Sequence, residues 1–122
     1  MVYFEDVVVG EALETPGLTL TEAHVVRYAG LAGEWEPRAT DEEAARRAEI
    51  GARVIPDFLP LCMSSGLGWR VPKPPLAVLA FMGFEWKFAL PLRIGDTIRS
   101  HSRMVAKRSV KDGGVVVEER EI

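Results

Sequence analysis

Three carboxylates stand where they could move protons. Glu34 and Glu36 flank Trp35 in the run Gly33-Glu34-Trp35-Glu36-Pro37-Arg38-Ala39, and Asp57 follows Pro56 at the start of an apolar run. Two carboxyl groups held close together titrate apart, so that one can act as an acid while the other acts as a base. Each position also has a plainer reading. Glu34 reads equally as a polar loop residue, Glu36 as a solvated loop charge, and Asp57 as the N-cap of a helix. The other reactive side chains are few. His24 falls on a helix as an exposed or capping residue, and His101 falls mid-strand between Arg99 and Arg103 on a solvated face. Cys62, with no histidine at helical spacing, reads as core. A single cysteine forms no internal disulfide and excludes a cysteine-rich zinc site. Neither a metal-ligand cluster nor a phosphate-cradling glycine loop is present, so this reading requires no metal and no cofactor.

The elements that must position these residues follow from periodicity. Thr15 to Leu20 reads as a short strand after a lead-in, Tyr3 to Gly10. A helix starts near Thr21, with Val25, Tyr28, Ala29 and Ala32 on one face. Thr19 with Glu22 has capping-box spacing, and Thr21 is an alternative cap. Gly33 to Ala39 reads as a loop, because a residue before proline is pushed out of the α region. Thr40 and Glu43 have capping-box spacing for a second short helix that Gly51 ends. A third helix, capped by Asp57, carries Phe58, Leu61, Cys62 and Ser65 on one face, which Leu59, Met63 and Leu67 widen, and is apolar nearly all round, the pattern of a buried helix. After the proline-rich turn from Arg70 to Pro75, three long strands are expected: Leu76 to Phe88, Thr97 to Val110, and Val115 to Ile122. The last two are joined by a hairpin at Lys111-Asp112-Gly113-Gly114. This order gives an α+β domain with one curved antiparallel sheet around a central buried helix. Open sheet edges point to a dimer that extends the sheet.

Composition narrows the partners. The chain has 122 residues, one domain's worth, with 48% apolar and 27% charged side chains. A net charge of -3 provides no basic surplus for nucleic acid. No apolar run reaches the roughly 18 to 20 residues of a membrane span. The N-terminus lacks the basic start of a signal peptide, so a cytoplasmic protein is expected. There is no Asn and no Gln, and 11 Arg stand against 4 Lys. Depletion of thermolabile amides fits a thermophilic source, and genome composition could produce the same bias.

Several motifs, in order, resemble the MaoC-like branch of the hot-dog fold, the family of (R)-specific enoyl-thioester hydratases and related dehydratases. They are Tyr3-Phe4-Glu5-Asp6 with Val9-Gly10-Glu11, Tyr28 to Gly33, Thr40-Asp41-Glu42-Glu43 with Ala45, Gly51 to Pro56, and Gly95-Asp96-Thr97. The resemblance covers nearly the whole chain, as a single domain. It implies a hot-dog fold, acyl-coenzyme A or another acyl thioester as ligand, a place in fatty-acid metabolism, and a homodimer or a heterodimer with a homologous chain. It implies that Arg53, Pro56, Asp57 and Phe58, around the start of the central helix, meet the substrate. Arg53 would steer a phosphate-bearing carrier or pair with an acid. It also implies one more strand after the segment ending at Ile122, or an edge completed by a partner.

The departures from the family's pattern decide the expected function. Its catalytic loop reads roughly Gly-Asp-x-Asn-Pro-x-His, and here Glu34, Glu36 and Ala39 occupy the Asp, Asn and His positions. The resemblance implies that Asp and His hold one water and share its protons. Ala39 cannot titrate, and Glu34 moves the carboxylate by about one methylene, a shift near 1 Å that can cost on the order of 100-fold. Asp57 replaces a glycine whose N–H, by resemblance, meets the thioester oxygen. The expectation is therefore an acyl-thioester-binding chain with a degraded dyad, the non-catalytic subunit of a hydratase complex. The alternative is an active hydro-lyase using Glu34 with Glu36 or Asp57.

Overall fold

A computed structural model describes residues 1–122. Strands β1 (Ala12–Glu14) and β2 (Leu18–Thr19) lead into helix α1 (Glu22–Ala32). The short helices α2 (Pro37–Thr40) and α3 (Glu42–Arg47) precede the central helix α4 (Phe58–Leu67). Strands β3 (Thr97–Ile98), β4 (His101–Val110) and β5 (Gly113–Glu121) complete the order. The sheet β1-β4-β5 is antiparallel throughout, and β2 pairs with β3 as a separate two-stranded ribbon. No helix is long and apolar enough to cross a membrane.

The expected strand Thr97 to Val110 is divided at Arg99 and Ser100, opposite Pro16 and Gly17. Pro16 has no N–H to donate to a ladder. Thr15 bridges the gap: its N–H donates to the Ser100 carbonyl at 3.0 Å, and its Oγ1 accepts the Ser100 N–H at 2.9 Å. The expected hairpin forms, with Val110 opposite Gly113. A Cβ at Gly114 would overlap the Phe4 ring, which packs on the hairpin backbone there. Lys107 Nζ lies 5.2 Å from that ring and donates to the Val7 carbonyl at 2.7 Å, fastening the N-terminal turn to β4.

The helix caps differ from the expected pairs. Thr21, not Thr19, starts α1, and its N–H donates to His24 Nδ1 at 3.0 Å. The loop expected to Ala39 gives way to helix at Pro37, whose ring presets φ and whose missing N–H is free of cost at a first position. Asp41 rather than Thr40 caps α3, accepting from the Glu43 and Ala44 N–H groups, while Thr40 Oγ1 donates to the Glu36 carbonyl. Asp57 sits in helical conformation and its side chain caps nothing. A cap residue must be extended for its carboxylate to fold back over the first turn.

The core joins Leu20, Val25, Ala39, Ile55, Leu59, Leu67 and Ile98. Helix α4 supplies Leu59, Pro60, Ser64 and Leu67 to the interior. Ser64 Oγ lies 3.4 Å from Ser100 Oγ, and Arg120 donates to the Ser64 carbonyl at 3.3 Å, so α4 lies against the strand break at Ser100 and against β5. The face expected to be core is covered only in part: Leu59 and Leu67 are buried and Leu61 and Met63 half-buried, but Phe58, Cys62 and Ser65 are exposed. Its cover was to come from a strand over Leu76 to Phe88. That segment makes one isolated bridge, Val2 with Leu76, and residues 78–91 make no backbone–backbone hydrogen bond. Three paired strands screen one flank of α4 and leave the other bare.

Gly114→Ala is expected to displace the Phe4 ring and to destabilise the fold by about 1–3 kcal/mol. In a Phe4→Ala background the same change is expected to cost less than about 0.5 kcal/mol. Urea unfolding of the four proteins measures the difference.

Candidate functional site

Helix α1 ends at Gly33, which adopts the left-handed conformation (φ 70°) and returns its N–H to the Ala29 carbonyl at 2.9 Å. That turn folds Glu34 back against α1. Tyr28 Oη donates to Glu34 Oε2 at 2.6 Å, a short charge-assisted bond. The pair is half-buried. Desolvation, the hydrogen bond to Glu34 and the carboxylate's charge, with a smaller effect from Cys62 on α4, push the Tyr28 phenol up to about 12. Tyr28 therefore stays protonated and remains a donor to Glu34 through the physiological range. Periodicity read Tyr28 only as part of an apolar face. The available signal was a phenol six residues ahead of a carboxylate, across a glycine able to reverse the chain.

Glu36 is turned away from this pair. Its side chain forms an ion pair with Arg38, and its carbonyl accepts from the Ala39 and Thr40 N–H groups at 3.0 Å each. Ala39 is fully buried, its methyl in the core and its carbonyl accepting from Arg53 Nε at 2.8 Å. Arg53 also grips both oxygens of Glu22, at 2.7 and 2.9 Å. Its guanidinium is thus engaged within the chain, the second of the two roles open to it. Pro56 is fully buried and its carbonyl accepts from Leu59 N–H at 3.0 Å. Asp57 is exposed, and its N–H and that of Phe58 have no backbone acceptor. Phe58 is half-exposed and meets Phe88 edge-on, with ring centres 5.6 Å apart.

Glu34 thus has Tyr28 as its partner and makes no hydrogen bond with Glu36 or Asp57. Neither imidazole reaches it. His24 is held at the start of α1, and His101 lies on β4, 3.8 Å from Glu14. Cys62, expected in the core, is exposed on the bare flank of α4. A cavity of about 70 Å³ lies beside Arg38, Ile50 and Val54, and an open groove of about 530 Å³ lies beside Arg99, His101 and Ile122. Neither is lined by Glu34, Asp57 or Phe58.

The raised phenol pKa has a stability consequence. The folded chain binds the Tyr28 proton more tightly than the unfolded one, so this contribution is complete below about pH 10 and is lost as pH rises toward about 12. Spectrophotometric titration is expected to find one tyrosine ionising near 12. Glu34→Gln should bring it part of the way back toward 10, because the desolvation remains.

Residues 5–122 match the sequence profile of the MaoC like domain. Protein MaoC of Klebsiella aerogenes is 36% identical over 107 residues, covering 87% of this chain and 31% of that protein. An (R)-specific enoyl-CoA hydratase of Rhodospirillum rubrum is 30% identical over 97 residues, covering 79% of this chain and 65% of that one. The chain therefore spans less than two thirds of either relative. Among solved structures, a monoamine oxidase regulatory protein of Archaeoglobus superposes with a TM-score of 0.90 at 30% identity, over 98% of this chain and 81% of that one. The (R)-hydratase of A. caviae superposes with a TM-score of 0.77 at 20% identity, over 95% and 86%, and shows the shared fold. A central helix against an antiparallel sheet, the hot-dog neighbours and a profile match over nearly every residue agree: the chain belongs to the MaoC-like dehydratase family.

Proposed function

We propose that this chain binds an acyl thioester, with acyl-coenzyme A as the first candidate, and does not hydrate it unaided. In this reading it is the non-catalytic partner of a homologous MaoC-like chain that carries the complete loop, in cytoplasmic fatty-acid metabolism. Hydration of a 2-enoyl thioester places the water's hydroxyl on Cβ and a proton on Cα. One group must take a proton from the water and another must manage the proton delivered to Cα. The observation that carries the reading is Ala39. The position that would hold the imidazole is a methyl packed in the core, and both histidines are elsewhere. The unbonded N–H groups of Asp57 and Phe58 at the start of α4 are the candidate donors for the thioester oxygen. Pro56 and Phe58 would border the acyl group, and Arg53 would act indirectly, by holding the Ala39 carbonyl.

One observation favours a second reading, an active hydro-lyase: Tyr28 fixes the Glu34 carboxylate at 2.6 Å, as a positioned base requires. Glu36, paired with Arg38, is a weaker second group in that scheme, and Asp57 remains the other candidate.

Calorimetry with a saturated acyl-CoA is expected to show binding that Glu34→Gln leaves within about threefold. Crotonyl-CoA should be hydrated only after a complete homologous chain is added. Turnover by the chain alone that falls at least 100-fold in Glu34→Gln would establish the second reading instead. Failure to bind any acyl-CoA removes both.

A further inference from the structure

The β4-β5 hairpin carries charge on both of its faces. On the outward face Arg103 stands opposite Glu119 and His101 opposite Glu121, all four exposed, as a solvated surface requires. Side chains alternate along a strand, so Val116, Glu118 and Arg120 share the other face. That face is turned toward α4, because Arg120 Nη1 donates to the Ser64 carbonyl at 3.3 Å. Glu118 and Arg120 thus stand where apolar residues would be expected to face the helix. Their side chains are mostly covered, at 30% and 27% exposure. Arg120 Nε donates to Glu118 Oε1 at 2.7 Å. The contacts of Arg120 use at most three of the five guanidinium N–H groups, and Glu118 Oε2 has no partner within the chain.

We propose that this ion pair ends the acyl slot, so that the chain takes short acyl thioesters and rejects long ones. The inference rests on the acyl-thioester reading and adds the length of the acyl group to it. In that reading the thioester oxygen sits at the N–H groups of Asp57 and Phe58. Ser64, which the pair touches, lies six residues beyond Phe58, or about 9 Å along α4. Around the helix, Leu61 and Ser65 lie about 60° and about 100° from Ser64, so the pair stands at the border of the bare flank. An extended acyl chain advances about 1.3 Å per C–C bond, and about seven bonds therefore reach the pair. A butyryl group stops short of it. A decanoyl group meets it. The last methylenes would displace water from Glu118 Oε2 and from the free guanidinium N–H groups and return no hydrogen bond, a loss that outweighs their own burial.

Calorimetry with butyryl-CoA and decanoyl-CoA tests the proposal. The unmodified chain should bind butyryl-CoA at least tenfold more tightly. Glu118→Leu/Arg120→Leu removes both charges together and leaves neither one unpaired. It should tighten decanoyl-CoA at least tenfold and leave butyryl-CoA within about threefold. Glu118→Gln/Arg120→Gln, polar but neutral, should gain about threefold for decanoyl-CoA and decides the matter if the leucine variant does not fold. The exchanged pair Glu118→Arg/Arg120→Glu should keep the original preference. Equal affinity for the two ligands in the unmodified chain, or a preference that survives in both neutral variants, would overturn the proposal and leave the acyl-thioester reading standing. Binding of neither ligand removes both.

Discussion

One guanidinium holds three parts of this chain together around the candidate site. Arg53 precedes α4 and donates both to the Glu22 carboxylate on α1 and to the Ala39 carbonyl on α2. These bonds fix the distance between the end of the loop that carries Glu34 and the start of the central helix. They also press Ala39 into the core beside Leu20, Val25 and Ile55. The residue that would have to be an imidazole for the family's usual proton transfer is thereby a packing element. The functional reading rests on that exchange of chemistry for packing.

Glu34 is a different case, because its surroundings are built rather than left over. The left-handed turn at Gly33 returns the carboxylate to Tyr28, and the phenol is kept protonated by desolvation and by the carboxylate itself. Such a pair positions a carboxylate and offers it one proton donor, but a phenol near 12 is a poor acceptor of protons from water at neutral pH. In the proposed reading the site retains one half of an acid–base pair. The bare flank of α4 and the unpaired stretch from 78 to 91 make the same point at the level of packing. The slot that the proposal places along α4 needs walls that this chain by itself does not close.

Much of this architecture was legible from residue spacing. The helix starting near Thr21, the apolar α4 and the Lys111-Asp112 hairpin follow from local pattern, because each depends on residues close in sequence. The strand break at Ser100 was not legible, since it answers Pro16 across the sheet. The inward face of α4 was legible only in part, at Leu59 and Leu67, for a related reason. Every side of an all-apolar helix satisfies the pattern, and tertiary cover alone keeps Leu59 and Leu67, adds Ser64, and leaves Phe58, Cys62 and Ser65 exposed. In the site, the alanine at position 39 could be read directly, whereas the Tyr28 partnership could not, because its hydroxyl gains meaning only when Gly33 reverses the chain. Arg53 had two open roles, and only its contacts with Glu22 and Ala39 separate them.

The central claim is that this chain holds an enoyl thioester without moving a proton onto it. The direct measurement is a single-turnover incubation in D2O, with the purified chain in excess over a 2-enoyl-CoA, followed by mass spectrometry of the acyl group. The account predicts a recovered ligand with no deuterium at Cα. Deuterium at Cα that disappears in Glu34→Gln would contradict it.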